Sequence, residues 1–181
     1  MSPKSGTLYT YPGNFRAQKV LITAKYSGAS VKVCPKFVFG ETNSSAPFLE
    51  KFPSGKVPAF ESTDGSVRLT ESNAIASYLS SETLLGGDAL GRAQVMQWLD
   101  FTDSSLLPPA CTWVFPTLGA MQFNKVATEK AQEDVKKAMA VLNAHFLKKT
   151  YLVGERITLA DISLTTTILS LYTHVMDADF R

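Results

Sequence analysis

A proline set among β-favouring residues constrains this chain most. In Gly55-Lys56-Val57-Pro58-Ala59-Phe60 the ring removes a backbone donor, which a sheet accepts only on an edge strand, at a bulge or at a strand's first residue. Val57 to Glu61 is therefore read as a strand opened by Pro58. The Asp-Gly pair of Thr63-Asp64-Gly65-Ser66 marks a tight hairpin, so Val67 to Leu69 returns antiparallel. A cis bond at Pro58 would turn the backbone groups of Val57 outward, free to pair with an extended peptide; a trans proline opening the strand is the plain alternative.

The segments before the hairpin supply the rest of a sheet. Thr7-Leu8-Tyr9-Thr10-Tyr11 reads as a strand stopped by Pro12-Gly13. Asn14 then caps a helix whose apolar positions Ala17, Val20, Leu21 and Ala24 recur at three and four residues, until Gly28 ends it. Val31-Lys32-Val33-Cys34 alternates as a second strand. Pro35 to Ala46 reads as a surface loop with at most one helical turn, and Pro47 to Phe52 as a short helix. After the hairpin, Glu71-Ser72-Asn73 opens a helix carrying Ile75, Ala76, Tyr78 and Leu79. Residues 1–82 thus predict a βαβ, loop, ββα lobe with a mixed four-stranded sheet.

Ser80 to Ala89 is small and polar enough to be a linker, and everything beyond it reads helical, which makes 83–181 a second, all-α lobe. Val95, Met96, Leu99 and Thr102 share a helical face that Pro108-Pro109 is expected to break or redirect. Lys125 to Lys149 is strongly amphipathic, with Val135, Ala138, Met139, Leu142 and Phe146 against a run of Lys, Glu and Asp read as a solvated face. Thr158-Leu159-Ala160-Asp161 is a capping-box start, and the helix after it, Ile162 to Met176, is apolar nearly all round and predicts the centre of the second lobe.

The totals exclude several classes. A formal charge of +2, with eighteen Lys and Arg spread along 181 residues, gives no nucleic-acid stripe, so direct nucleic-acid binding is not expected. No stretch approaches a membrane span, and Met-Ser-Pro-Lys-Ser-Gly has no secretory apolar region. Two cysteines, Cys34 and Cys111, build no disulfide framework and have no metal-ligand spacing with His145 or His174, so a reducing, cytoplasmic setting and no metal are expected. His145 lies beside the apolar stripe of its helix and reads as a core-edge residue.

The start of the helix at Glu71-Ser72 offers amide donors and a hydroxyl where the dipole favours an anion, so a ligand carboxylate could dock there; plain capping by Ser72 or Thr70 is the alternative. Taken together, Phe48 to Phe60, Thr70-Glu71-Ser72-Asn73-Ala74-Ile75 and Tyr151-Leu152-Val153-Gly154-Glu155-Arg156-Ile157-Thr158-Leu159-Ala160-Asp161-Ile162 resemble the glutathione transferase superfamily. The resemblance implies a thioredoxin-like first lobe. It also implies that Val57, set by Pro58, pairs through its backbone with the cysteinyl part of glutathione, that Glu71 and Ser72 hold the γ-glutamyl end, and that Lys56 meets a carboxylate. A transferase must also activate the thiol near the end of the first strand. There the sequence departs from the pattern: Thr10-Tyr11-Pro12-Gly13-Asn14-Phe15-Arg16 has no serine, and Pro12 or Asn14 falls where theta-like members place theirs. Tyr11 and Thr10 are the candidates that remain, and the catalytic residue stays unassigned.

A narrower resemblance rests on Gly6 to Pro12, Lys51 to Phe60 and above all Pro108-Pro109-Ala110-Cys111-Thr112-Trp113-Val114-Phe115-Pro116-Thr117-Leu118-Gly119, which is similar to the amino-terminal region of the elongation factor 1 gamma family. It implies a scaffold domain that assembles the translation factor's nucleotide-exchange subunits, requiring no cofactor, with glutathione as a ligand rather than a substrate. A theta-like glutathione S-transferase is the alternative. Exchange-factor subunits, an aminoacyl-tRNA synthetase and a second copy of the chain are the implied partners. A domain appended to a synthetase fits the fold but not the Thr112 to Gly119 block. Trp113, Phe115 and Met121 are either exposed anchors or fillers between helices. The resemblance further implies that the helical lobe is truncated and that a lysine-rich linker and carboxy-terminal domain lie outside the sequence.

Overall fold

The computed structural model describes residues 4–177. The chain divides into two compact units, Met1–Leu85 and Gly86–Arg181. In the first, β1 (Ser5–Tyr9), α1 (Phe15–Ser27), β2 (Ser30–Val33), α2 (Ala46–Lys51), β3 (Ala59–Ser62), β4 (Arg68–Leu69) and α3 (Ser72–Leu79) follow in order. The sheet order is β2-β1-β3-β4, with β1 parallel to β2 and antiparallel to β3, and β4 antiparallel to β3. This is the mixed four-stranded sheet the sequence predicts.

Two differences from the sequence reading matter for the site. The first strand stops at Tyr9, so Thr10 and Tyr11 lie beyond it, and β3 begins at Ala59 rather than Val57. The cause is local: Pro12-Gly13 turns the chain away from β1, and Pro58 has no amide to give a ladder. Asn14 caps α1 by accepting the Arg16 amide, and Gly28, at φ 71°, closes it in the left-handed conformation.

Both faces of the sheet are built from single side chains of β1 and β3. Leu8 and Phe60 sit opposite each other in register, and they are fully buried, as are Val20 of α1 and Ile75 of α3, the two helices packed on one another. Gly6 lies beside them because nothing larger fits: a Cβ there would come within 2.3 Å of the Glu61 carbonyl and 2.5 Å of the Phe60 ring. On the other face Phe48, Phe52 and Ala59 form a cluster with Tyr9, whose ring centroid lies 5.6 Å and 5.8 Å from the two phenylalanines. Burying each ring contributes about 2–3 kcal/mol, which fastens the one-and-a-half-turn α2 that could not stand alone.

Beneath that cluster Glu61 gathers three donors. Lys51 Nζ lies 2.8 Å and Tyr9 Oη 3.1 Å from Oε2, and Arg68 Nε lies 3.0 Å from Oε1, joining α2, β1 and β4 to β3. Burial pushes the Glu61 carboxyl upward, but the hydrogen bonds from Lys51, Arg68 and Tyr9 outweigh it and hold it below the ordinary glutamate range.

The second unit runs α4 (Ala89–Phe101), a π turn over Thr102–Leu106, α5 (Leu107–Val114), α6 (Lys125–Phe146) and α7 (Leu159–His174), with a short 3-10 turn at Phe115–Leu118. The interruption expected at Pro108-Pro109 takes the form of a π turn just before them, between the end of α4 at Phe101 and the start of α5 at Leu107. Both prolines fall in the first turn of α5, where amides have no helical acceptor in any case, and the wide π turn before them absorbs the change of register. In α6 the buried stripe is Ala131, Val135, Ala138 and Leu142; Met139 is half-buried and Phe146 exposed, since the stripe precesses out of contact towards the helix end.

α7 is the core of this unit, with Leu159, Ala160, Ile162, Leu164 and Leu171 buried. Its buried threonines are satisfied within the helix: Thr166 and Thr167 donate to carbonyls one turn back. The capping box forms as the sequence predicts. The Asp161 carboxylate accepts from the Thr158 amide at 2.8 Å, the Thr158 hydroxyl at 2.9 Å and, across the preceding loop, the Leu152 amide at 2.9 Å. No helix among the described residues is long and apolar enough to cross a membrane.

Two outcomes follow for stability. Asp161→Ala strands three donors, two of them around the buried Thr158, and is expected to cost about 2–4 kcal/mol, read as a lower urea midpoint; Lys130→Ala, which opens an exposed pair with Asp134, leaves the midpoint near wild type. Because the native Glu61 pKa lies below its unfolded value, its contribution is complete above the ordinary glutamate range and is lost as pH falls through the lowered value. A Glu61→Gln chain should therefore be less stable at neutral pH and show a shallower acid-side decline in urea titrations.

Candidate functional site

The helix α3 begins under strain. Glu71, in the cap position, has φ 61° and ψ 116°, a region that a residue with a Cβ rarely enters. Such a conformation costs about 1–3 kcal/mol and persists only where the surroundings enforce it. Here the burial of Ile75, Ala76 and Leu79 supplies that enforcement. The Glu71 side chain makes no capping bond, so neither capping alternative from the sequence holds: Glu71 takes the cap position and Ser72 is the first helical residue. The Ser72 side chain is buried against this end, while Glu71 stays exposed.

Opposite the helix end stands the turn before β3. The Val57–Pro58 peptide bond is cis, the first of the two alternatives that the sequence allows. Pro58 is buried and Val57 half-buried, and the Val57 amide and carbonyl enter neither the turn's hydrogen bonds nor the β1–β3 ladder. Behind the turn, Asn43 fixes two loops at once: its Nδ2 donates to the Gly55 carbonyl at 2.8 Å and its Oδ1 accepts the Gly40 amide at 2.8 Å.

These elements enclose a pocket of about 370 Å³. Lys56, Val57, Pro58, Glu71 and Ser72, the five binding residues proposed from the sequence, all line it, together with Tyr11. Arg16, Phe39, Asn43 and Gly55 complete the wall and were not singled out by sequence reasoning. A signal for Arg16 existed, since a cation in the first turn of a helix opposes the dipole and needs another reason to be there. Asn43 and Phe39 carried none, because their place depends on how a loop without periodicity folds back.

The arrangement holds the donors, acceptors and charges that a small peptide-like ligand would pair with. The open backbone of Val57 can pair with an extended chain, the α3 amides and Ser72 hydroxyl can hold a carboxylate, and Glu71 can take an ammonium. Arg16 and Lys56 add positive charge for a further carboxylate.

The two catalytic candidates part company. Thr10 is buried; its hydroxyl accepts from Asn14 Nδ2 at 3.1 Å, donates to the Tyr11 carbonyl at 3.3 Å, and lies in a second pocket, with Pro12 and Cys34, that Tyr11 also borders. Tyr11 is 37% exposed, with its ring edge-on to Phe39 at 5.1 Å. Tyr9 is committed to Glu61, and burial together with that bond raises its phenol pKa, which keeps it neutral.

Elsewhere, Trp113 is buried, Phe115 half-buried and Met121 exposed, so the three do not form one surface. His145 is the core-edge residue expected, with Nε2 3.0 Å from the Tyr151 carbonyl and its ring against Trp98. Cys34 and Cys111 are not joined in a disulfide, and no cluster of metal-ligating side chains occurs among the described residues.

Residues 4–81 match the family model for the glutathione S-transferase N-terminal domain, and residues 106–180 the model for its C-terminal domain. The glutathione S-transferase of Pseudomonas fluorescens superposes with a TM-score of 0.85 at 26% identity, covering 96% of this chain and 88% of that one. Glutathione transferase F2 of Populus trichocarpa gives 0.84 over 93% and 83% at 22% identity, a likeness of fold alone. Elongation factor 1-gamma of Artemia salina is 60% identical over 98% of this chain, and that of Equus caballus 56% identical over 98%. The chain spans about two-fifths of the length of these relatives, 41% in each. It belongs to the glutathione S-transferase family, with a thioredoxin-like first domain and a helical second one, in the form that elongation factor 1-gamma carries as its transferase-like region.

Proposed function

We propose that the chain is a transferase-like scaffold domain that helps assemble the translation elongation factor 1 exchange complex in the cytoplasm, and that its pocket keeps glutathione as a ligand without turning it over. The likeness to elongation factor 1-gamma along 98% of the chain carries this reading. The pocket supports its second half: backbone, helix end and charges suit a γ-glutamyl peptide, whereas Thr10 and Tyr9, the hydroxyls next to Tyr11 in sequence, are engaged by Asn14 and Glu61. Binding without activation is what such a site does, because the thiolate rather than the thiol is the nucleophile. Its partners are the exchange-factor subunits, with an aminoacyl-tRNA synthetase and a second copy of the chain as further candidates; neither nucleic acid nor a membrane is contacted directly.

One observation favours a second reading, a theta-like glutathione S-transferase that conjugates glutathione to electrophiles. Tyr11 shares the pocket with Val57 and Ser72, within the reach of a bound thiol's surroundings.

Calorimetric titration should show glutathione binding that weakens about tenfold or more in Ser72→Ala, the loss of a hydrogen bond to a charged group. Conjugation of chlorodinitrobenzene should stay at the buffer rate, and Tyr11→Phe should leave both glutathione affinity and co-purification of the exchange subunit unchanged. A rate well above buffer that Tyr11→Phe abolishes establishes the transferase instead. Failure of the intact domain to retain the exchange subunit removes the scaffold reading.

A further inference from the structure

We infer that the free edge of β2 is a docking site for an extended acidic peptide, which joins the sheet as a fifth strand. The inference is independent of the glutathione pocket. β2 is an outer strand of the sheet order β2-β1-β3-β4; the other outer strand, β4, has two residues and offers little edge. The ladder to β1 shows which backbone groups are free. Ser30 donates to the Lys4 carbonyl and Cys34 to the Leu8 carbonyl, each at 2.9 Å, so Ser30, Lys32 and Cys34 turn inward to β1. In a strand the intervening residues point the other way, which leaves the amides and carbonyls of Val31 and Val33 facing out along the open edge. Val33 is also 43% exposed, an apolar surface that an added strand would cover.

Charge selects the occupant. The first forty residues hold six cations, Lys4, Arg16, Lys19, Lys25, Lys32 and Lys36, and no acid, although the whole chain carries a net charge of only +2. Lys4 is spent on the Tyr78 carbonyl, Lys19 on Asn73, and Arg16 lines the pocket. Lys25, Lys32 and Lys36 remain: one ends α1, one lies in β2 and one follows it, all exposed and without an ion-pair partner among the described residues. The acids that line a pocket with Lys32, Glu61 and Asp64, are held by Lys51 and Arg68 and by Ser62 and Ser66. A strand edge guarded by lysines repels other basic edges and accepts an acidic one. RNA would answer the charge but would make no use of the outward amides, so a peptide is the better fit.

The test uses the whole chain and a peptide of alternating glutamate and valine, with an RNA oligonucleotide as competitor. Hydrogen exchange at the Val31 and Val33 amides should slow about tenfold or more at saturating peptide, while Lys32, already bonded to β1, changes little. Val33→Pro, which removes an outward donor and spares the ladder, should weaken peptide binding about tenfold, and the triple variant Lys25→Glu, Lys32→Glu, Lys36→Glu at least as much. If Val33→Pro fails to fold, the exchange measurement on the unaltered chain decides alone. No binding at low salt, binding that leaves Val31 and Val33 exchanging as before, or displacement of the peptide by RNA each overturns the inference.

Discussion

The antiparallel pairing of β3 with β1 is the interaction on which the first unit depends. Its register sets Phe60 opposite Leu8 on the face covered by α1 and α3, and Ala59 opposite Tyr9 on the face covered by α2. A slip of one residue would exchange these faces and drive Glu61 into the apolar core, so the register is strongly specified. Gly6 secures it further, because only a residue without a side chain lets the Phe60 ring and the Glu61 carbonyl approach so closely. Since β3 begins directly after Pro58, the same pairing also determines where Val57 stands, and with it one wall of the pocket.

The opposite wall depends on a balance of energies. Glu71 gives up about 1–3 kcal/mol in backbone strain, which would melt an isolated eight-residue helix that is marginal at best. Burial of Ile75, Ala76 and Leu79 at about 1.5–3 kcal/mol for each large side chain holds it in place. The buried Lys19, whose ammonium donates to Asn73, adds a polar tie between α1 and the first turn of α3. The pocket's walls are therefore set by core packing, and a ligand that fits them would cost the chain little ordering entropy.

Features encoded by short-range chemistry were legible in the sequence. The Asp-Gly hairpin, the Asn14 and Gly28 caps and the Thr158–Asp161 capping box depend on neighbours in the chain, and each is found where the residues predict it. The grouping of Lys56, Val57, Pro58, Glu71 and Ser72 around one pocket was legible through resemblance, since the physics of Pro58 or Ser72 alone left the plain structural alternatives open. What depends on long-range approach was not legible. Nothing local marks Glu71 for a positive φ; its conformation follows from the helix behind it. Asn43 becomes a clamp only once Gly55 and Gly40 are brought to it, and Lys19 sits on a helix face that its charge alone would assign to solvent. The Pro108-Pro109 pair announced an interruption but not its form, because periodicity does not disclose that a π turn hands one helix over to the next and leaves the prolines in the first turn of the second.

Holding a thiol and activating one are separate demands, and the proposed role asks only the first of this pocket. Holding needs backbone groups, a helix end and charges, all of which come from elements locked by the core. Activation needs one hydroxyl with a free proton, placed where the sulfur lies, and the end of β1 is where a thioredoxin-like lobe can offer it. Here that end is occupied: Tyr9 donates to Glu61, and Thr10 accepts from Asn14, the residue that caps α1, and gives its own proton to the Tyr11 carbonyl. The hydroxyls that stabilise the sheet and the helix cap are thus withdrawn from chemistry. Only Tyr11 remains among them, and its ring rests against Phe39 on a loop rather than on the sheet. A residue so placed borders any ligand in the pocket, which makes Tyr11 the hydroxyl on which the two proposed readings differ.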